Sequence, residues 1–155
     1  MRKISVLIAL ALLTFAGCKK DNTEEKDTEY PEILATANSF PIQCGTISRG
    51  QTFTFKASFS DNKELGAYSL DVHHNFDQHN HSTEVHQCTF DAKKTPVKPF
   101  LFIQNYNIPA GLKQHEATAQ IVVPADVDPG DYHFMIRLTD KEGWQTIKGL
   151  SIKIQ

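Results

Sequence analysis

The sequence predicts an all-β domain, an immunoglobulin-like sandwich of two sheets built from about seven antiparallel strands. Two observations carry this. Apolar residues recur at every second position through much of residues 31–155, and no segment there sustains a helical period. Turn-forming clusters separate the runs: Arg49-Gly50, Asp61-Asn62, Pro109-Ala110-Gly111, Asp128-Pro129-Gly130 and Glu142-Gly143.

In chain order, residues 32–37 read as a short first strand. Phe53, Phe55, Ala57 and Phe59 then alternate with Thr52, Thr54, Lys56 and Ser58. Tyr68, Leu70 and Val72 alternate with Ser69, Asp71 and His73. Residues 100–104 and 116–123 are further candidates. Tyr132, Phe134, Ile136 and Leu138 alternate with Asp131, His133, Met135 and Arg137, and residues 145–154 close the chain. Each run has one face to bury and one to solvate, as a half-buried strand requires. Tyr132 follows Pro129-Gly130-Asp131, the place of a tyrosine corner at the start of the penultimate strand.

The N-terminus is of another kind. Met1-Arg2-Lys3 supplies positive charge, residues 4–15 are almost entirely apolar, and Ala16-Gly17-Cys18 follows. This is the layout of a secretory signal over residues 1–17, with an apolar stretch too short to span a bilayer comfortably. Ala16-Gly17-Cys18 resembles the lipobox read by bacterial lipoprotein signal peptidase, with Phe15 where leucine is usual. The resemblance implies cleavage before Cys18 and lipidation of that residue, so that acyl chains tether the protein to a bilayer. Lys19-Lys20-Asp21 resembles the lysine-plus-acidic signals of Bacteroidota lipoproteins. It implies an outer-membrane lipoprotein exposed at the cell surface, with the periplasmic face as the alternative. Residues 19–30 hold no aliphatic side chain, so residues 18–30 are expected to form a solvated tether and residues 31–155 the folded domain.

Charge and cysteines narrow the class. Loss of Arg2 and Lys3 takes the net charge from −2 to −4, and no basic stripe is present. Nucleic acid is therefore not an expected partner. Lipidation of Cys18 leaves Cys44 and Cys88, an even pair in an oxidising compartment, which favours a disulfide over a pair of thiolate metal ligands.

One window does not follow core logic. Five of the seven histidines lie between His73 and His86, together with Asp77 and Glu84. Imidazole and carboxylate are the ligands that zinc, copper(II), nickel and non-haem iron accept. In an immunoglobulin-like sandwich the strand ending at residue 75 lies beside the strand starting at residue 131. His73 and His133 then share the outward face at one end, and the loop bearing His79 and His81 leaves from that end. His73, His79, His81 and His133 are the expected metal ligands, with Asp77 or Glu84 joining or supporting them. Zinc or copper is the expected metal. His74 is expected at the rim of the core with a hydrogen bond, and His86 and His115 at the surface. A polar loop without metal is the competing reading.

Asn75-Phe76-Asp77-Gln78-His79-Asn80-His81-Ser82, Gly130-Asp131-Tyr132-His133-Phe134 and Thr139-Asp140-Lys141-Glu142-Gly143-Trp144 resemble a Bacteroidota lipoprotein family, domain of unknown function 4625. The resemblance runs over nearly the whole chain. It implies a surface or periplasmic lipoprotein with an immunoglobulin-like fold and supplies no activity or catalytic residues.

Three functional classes follow. The first is a non-enzymatic lipoprotein binding a transition metal for acquisition, storage or delivery. The second is an interaction module for a glycan or an outer-membrane receptor, using exposed aromatics drawn from Trp144, Phe100, Phe102 and Tyr106. The third is a hydrolase, for which the chain offers no nucleophile elbow, no paired-carboxylate signature and no HExxH.

Overall fold

The computed structural model describes residues 26–81 and 88–155. The signal, Cys18 and residues 82–87, which include Glu84 and His86, lie outside the described residues. Eight strands follow one another: β1 (Glu32–Leu34), β2 (Gly45–Ile47), β3 (Thr52–Ser60), β4 (Leu65–His74), β5 (Phe102–Asn107), β6 (Gln114–Val122), β7 (Gly130–Asp140) and β8 (Gln145–Ile154). No helix occurs among the described residues.

The strands form a three-stranded sheet, β1-β3-β6, and a five-stranded sheet, β2-β8-β7-β4-β5. The inward residues of the alternating runs meet between them. Phe55 of the first sheet stacks on Phe134 and Tyr68 of the second, with ring centroids 5.7 and 6.1 Å apart. Phe55, Phe134, Leu70, Leu138 and Ile121 have no solvent exposure. Each such side chain contributes about 1.5–3 kcal/mol relative to exposure, so the period-two pattern is the main determinant of this two-layer fold.

The Tyr132 hydroxyl donates to the Asp128 carbonyl at 2.6 Å and accepts from the Phe100 amide at 3.1 Å. The first bond is the tyrosine-corner contact, which fixes the approach to β7. The second explains why β5 begins at Phe102 rather than at residue 100. Phe100 is drawn into the core beneath Tyr132 instead of extending the strand.

To the expected set of about seven antiparallel strands the structure adds one short parallel strand. β2 is an additional three-residue strand, and it pairs with β8 in parallel, Gly45 opposite Ile152 and Ile47 opposite Ile154. Gly-Thr-Ile is too short to show alternation. Its position is set by distant partners, the Ser151 carbonyl accepting from the Cys44 amide and the Ile47 carbonyl accepting from the Gln155 amide.

β4 and β7 run antiparallel side by side, from Leu65 opposite Asp140 to His74 opposite Tyr132. The pairing defines two ends of the sandwich. His73, His133 and Ser151 form one cross-strand row at the first end, and Cys44 joins it through its bond to Ser151. The chain enters the sandwich at the other end, where Glu32 pairs with Ser60. Contacts with the domain begin before residue 31. Asp27 is buried, the Trp144 indole donates to its carbonyl at 3.0 Å, and Tyr30 packs edge-on against Trp144. The C-terminal part of the expected tether is thus held against the domain.

Candidate metal centre

Two of the four histidines come from strands. His73 and His133 are direct cross-strand partners on the outward face of the five-stranded sheet. The other two come from the connection between β4 and β5, and their rings pack against His73 and His133 on that face. The turn is local: the Gln78 amide donates to the Asn75 carbonyl at 3.1 Å, and Gln78 adopts a left-handed φ of 59°. Phe76 anchors it, buried and edge-on to Tyr132 at 5.3 Å, with the Lys94 ammonium 4.3 Å over its ring. Gly130 faces the same ring. A Cβ there would approach Phe76 to 3.1 Å, and its φ of 131° suits only glycine.

Farther along, the connection is tied down repeatedly. Cys88 forms a disulfide with Cys44 at the β2 edge. The Asp91 amide donates to Asp131 at 2.7 Å, and Lys153 bridges Asp91 and Asp131 at 2.7 and 2.9 Å. The Val97 and Lys98 amides both donate to the Asp128 carboxylate at 2.7 Å. This later stretch in turn holds the turn before His79: the Gln78 side chain donates to the Asp91 carbonyl at 2.9 Å, and the Lys94 amide to the Phe76 carbonyl at 3.1 Å.

His73, His79, His81 and His133 each offer a ring nitrogen, and the four nitrogens lie within 4.8 Å of one another. Nε2 of His73 lies 3.1 Å from Nε2 of His81. A tetrahedral zinc with bonds of about 2.0–2.1 Å has nitrogen–nitrogen edges of about 3.3 Å, so this pair already stands at ligand spacing. The rings of His79 and His81 lie 4.7 and 4.6 Å from that of His133.

Two carboxylates stand behind the cluster. Nδ1 of His73 donates to Asp71 at 2.7 Å, and Nδ1 of His79 donates to Asp77 at 2.6 Å. A carboxylate only accepts, so the proton sits on Nδ1 and the lone pair on Nε2, as in the carboxylate–histidine–metal arrangement. Asp77, expected among the ligands, is therefore outside the converging set and orients His79 instead. Asp71 is a supporting residue that the histidine-rich window, starting at His73, does not include. The signal for it is the repeated Asp-x-His spacing: Asp71-x-His73 puts both side chains on one face of β4, and in Asp77-x-His79 the left-handed turn at Gln78 brings the pair together. Nε2 of His133 lies 3.2 Å from the His79 carbonyl, which can accept its proton.

Burial favours the neutral, ligand-competent ring at His133 and at His81. His133 has no solvent exposure, and burial, with smaller contributions from His79, His81 and His73, pushes its imidazole down to about 3. Burial, then His73 and His79, also lowers His81. The His79 ring beside Asp77 holds that carboxyl below its ordinary value.

The cluster is reachable from solvent. His73 and His81 line an open groove of about 340 Å³, together with Asp71, Ile103, Met135 and Arg137. Met135 lies on the face of His133 and lines this groove. His74 departs from its expected satisfied position: its ring packs 5.0 Å from Phe76, and Nδ1 is buried without a hydrogen-bond partner among the described residues. His115 is half-buried beside Tyr68. The four aromatics considered for a recognition patch are engaged elsewhere. Phe100 is buried, Phe102 and Tyr106 pack on the core, and Trp144 holds Asp27 and Tyr30.

Fold and site together define an immunoglobulin-like sandwich carrying a four-histidine cluster at one end. The chain belongs to the family described as Domain of unknown function (DUF4625), which matches residues 16–155. Among solved structures, a GspB Siglec domain is similar, with 19% identity and a TM-score of 0.43 over 83% of this chain. The match spans 59% of that domain's chain. No curated protein matches at a significant level.

Proposed function

We propose that this protein is a non-enzymatic, membrane-anchored lipoprotein that binds one transition-metal ion, zinc or copper, for acquisition, storage or delivery. The observation that carries the reading is the convergence of four histidine nitrogens within 4.8 Å. An all-imidazole set suits zinc or copper(II). The groove at His73 and His81 supports exchange with a partner over a purely structural role, because a structural ion is usually closed off. Anchoring rests on the lipobox resemblance at Cys18, and surface exposure on Lys19-Lys20-Asp21. Since the chain enters at the opposite end of the sandwich, a lipid-held domain would present its histidine end away from the bilayer.

Elemental analysis of protein purified without a histidine tag tests the metal. About one zinc or copper per chain is expected, lost in a His79→Ala/His81→Ala double variant. The reading fails if no metal co-purifies and added zinc or copper leaves the melting temperature unchanged. Anchoring is tested by fractionation, in which Cys18→Ala should move the protein from the membrane pellet to the soluble fraction. A wild type already soluble contradicts it.

A second reading, a docking site for a glycan or an outer-membrane receptor, is favoured by the groove itself. Exposed Ile103, exposed Ile147 and Arg137 line it. Loss of cell-surface binding on Ile103→Ser, with His79→Ala/His81→Ala unaffected, would support it.

A further inference from the structure

A second cluster lies at the end of the sandwich where the chain enters. Asp27 precedes β1, Asp61 follows β3 in the turn to β4, and Asp140 ends β7. Carboxylate oxygens of the three lie within 4.8 Å of one another. His133 and Asp140 are seven positions apart on β7, so the two clusters are separated by about 24 Å of strand.

In each carboxylate the two oxygens have different surroundings. Oδ1 is occupied in all three. Asp27 Oδ1 accepts from the Glu29 amide at 3.0 Å and the Asn62 side chain at 2.9 Å. Asp61 Oδ1 accepts from the Lys63 and Glu64 amides at 2.8 and 2.6 Å. Asp140 Oδ1 accepts from the Gly143 and Trp144 amides at 2.6 and 2.8 Å. Oδ2 of all three is buried and has no hydrogen-bond partner among the described residues. Asp27 and Asp140 are 2% and 4% exposed, so these are unpartnered oxygens well inside the nine-tenths-buried range.

Buried polar atoms are almost always satisfied, and three converging carboxylate oxygens repel one another unless a cation lies between them. Nearby ammonium groups are used elsewhere: Lys141 pairs with Glu64 at 3.0 Å, and Lys113 donates to the Asn62 carbonyl at 2.7 Å. Lys63 acts on Asp27 only through its field. An oxygen-only set with no imidazole or thiolate is that of a hard divalent cation, and backbone carbonyls and water complete such a shell readily for calcium.

We infer that Asp27, Asp61 and Asp140 form a calcium site that fastens the incoming N-terminal segment to the base of the sandwich. Asp27 is the only one of the three that lies outside the strands and their hairpin turns. Calcium therefore ties the segment before β1 to the β3–β4 turn and the β7–β8 hairpin. The joint sets the direction in which the chain leaves the domain and is independent of the histidine cluster.

Trp144 makes the site testable. It is the chain's only tryptophan, and its indole bonds the Asp27 carbonyl, so it stands beside the cluster as an energy donor. Chelator-treated protein is titrated with terbium(III), a calcium-like ion, with excitation at the tryptophan band. Sensitised emission should saturate at one equivalent, and millimolar calcium should displace it, since extracellular calcium modules have Kd values of about 10⁻⁴–10⁻³ M. Asp61→Asn keeps Oδ1 and removes one charge, and it should weaken terbium binding at least tenfold, while His79→Ala/His81→Ala leaves it unchanged. Absence of sensitised emission from folded wild-type protein overturns the inference, and so does emission that calcium fails to displace. Should Asp61→Asn not fold, calcium is titrated into wild type alone. A rise in melting temperature with calcium but not with equimolar sodium sulfate supports the site, and no rise overturns it.

Discussion

Replacing His133 by leucine should flatten the acid sensitivity of the metal-free protein. His133 is fully enclosed, and burial followed by its three histidine neighbours pushes its imidazole from the ordinary 6.5 down to about 3. Between those values the folded protein keeps the ring neutral, whereas the unfolded chain protonates it. The unfolded state then binds more protons, so stability falls as pH falls from about 6.5 towards about 3 and levels off below. Each unit in that window costs about 1.4 kcal/mol, which comes to about 2 kcal/mol between pH 7.5 and pH 5. Urea denaturation of chelator-treated wild type and His133→Leu at both pH values measures this as a difference of differences. The variant should lose about 2 kcal/mol less than wild type. Equal losses would show that His133 is not held neutral by its surroundings and would refute the argument.

Other expectations concern the supports of the cluster and of the fold. Asp71→Asn and Asp77→Asn should each weaken zinc binding by about 10–100-fold in a chelator-competition titration, with little change in the melting temperature of metal-free protein. Undiminished affinity in both would mean that the carboxylates do not orient the rings. Cys44 and Cys88 close a loop with a sequence separation of 44, so removing the bond through a Cys44→Ser/Cys88→Ser variant should cost about 4 kcal/mol in denaturant unfolding. The same variant should bind zinc more weakly, because the histidine-bearing connection is released at its Cys88 anchor. Tyr132→Phe removes both bonds of the buried hydroxyl and leaves the Asp128 carbonyl and the Phe100 amide short of a partner, a loss of about 1–3 kcal/mol.

The fold was legible where one local pattern carried it. Phe53 to Phe59 and Tyr132 to Leu138 show which face is buried without knowledge of any partner, and they lie in β3 and β7. β2 was not legible, because three residues carry no period and their parallel place beside β8 depends on Ser151 and Gln155, more than a hundred positions away. In the site, the row joining His73 to His133 followed from strand adjacency alone, since a two-residue period settles the face once the register is known. Whether Asp77 joins the ligands or supports them is open in the sequence, because a carboxylate beside a histidine serves equally well as ligand or as proton acceptor. Only the 2.6 Å contact to Nδ1 of His79 separates the two. The three aspartates at the other end were hidden for a different reason. Asp61 and Asp140 sit in sequences that read simply as turns, and Asp27 lies in a charged stretch that reads as tether, so only the folded chain brings them together.

X-ray absorption at the zinc edge, on untagged protein loaded with one equivalent of zinc, probes the four-histidine site most directly. The account predicts four nitrogen ligands at about 2.0–2.1 Å, with the multiple-scattering pattern of imidazole, falling to fewer imidazoles in His79→Ala/His81→Ala. A zinc environment of carboxylate or water oxygens, or one unchanged in the double variant, would contradict it.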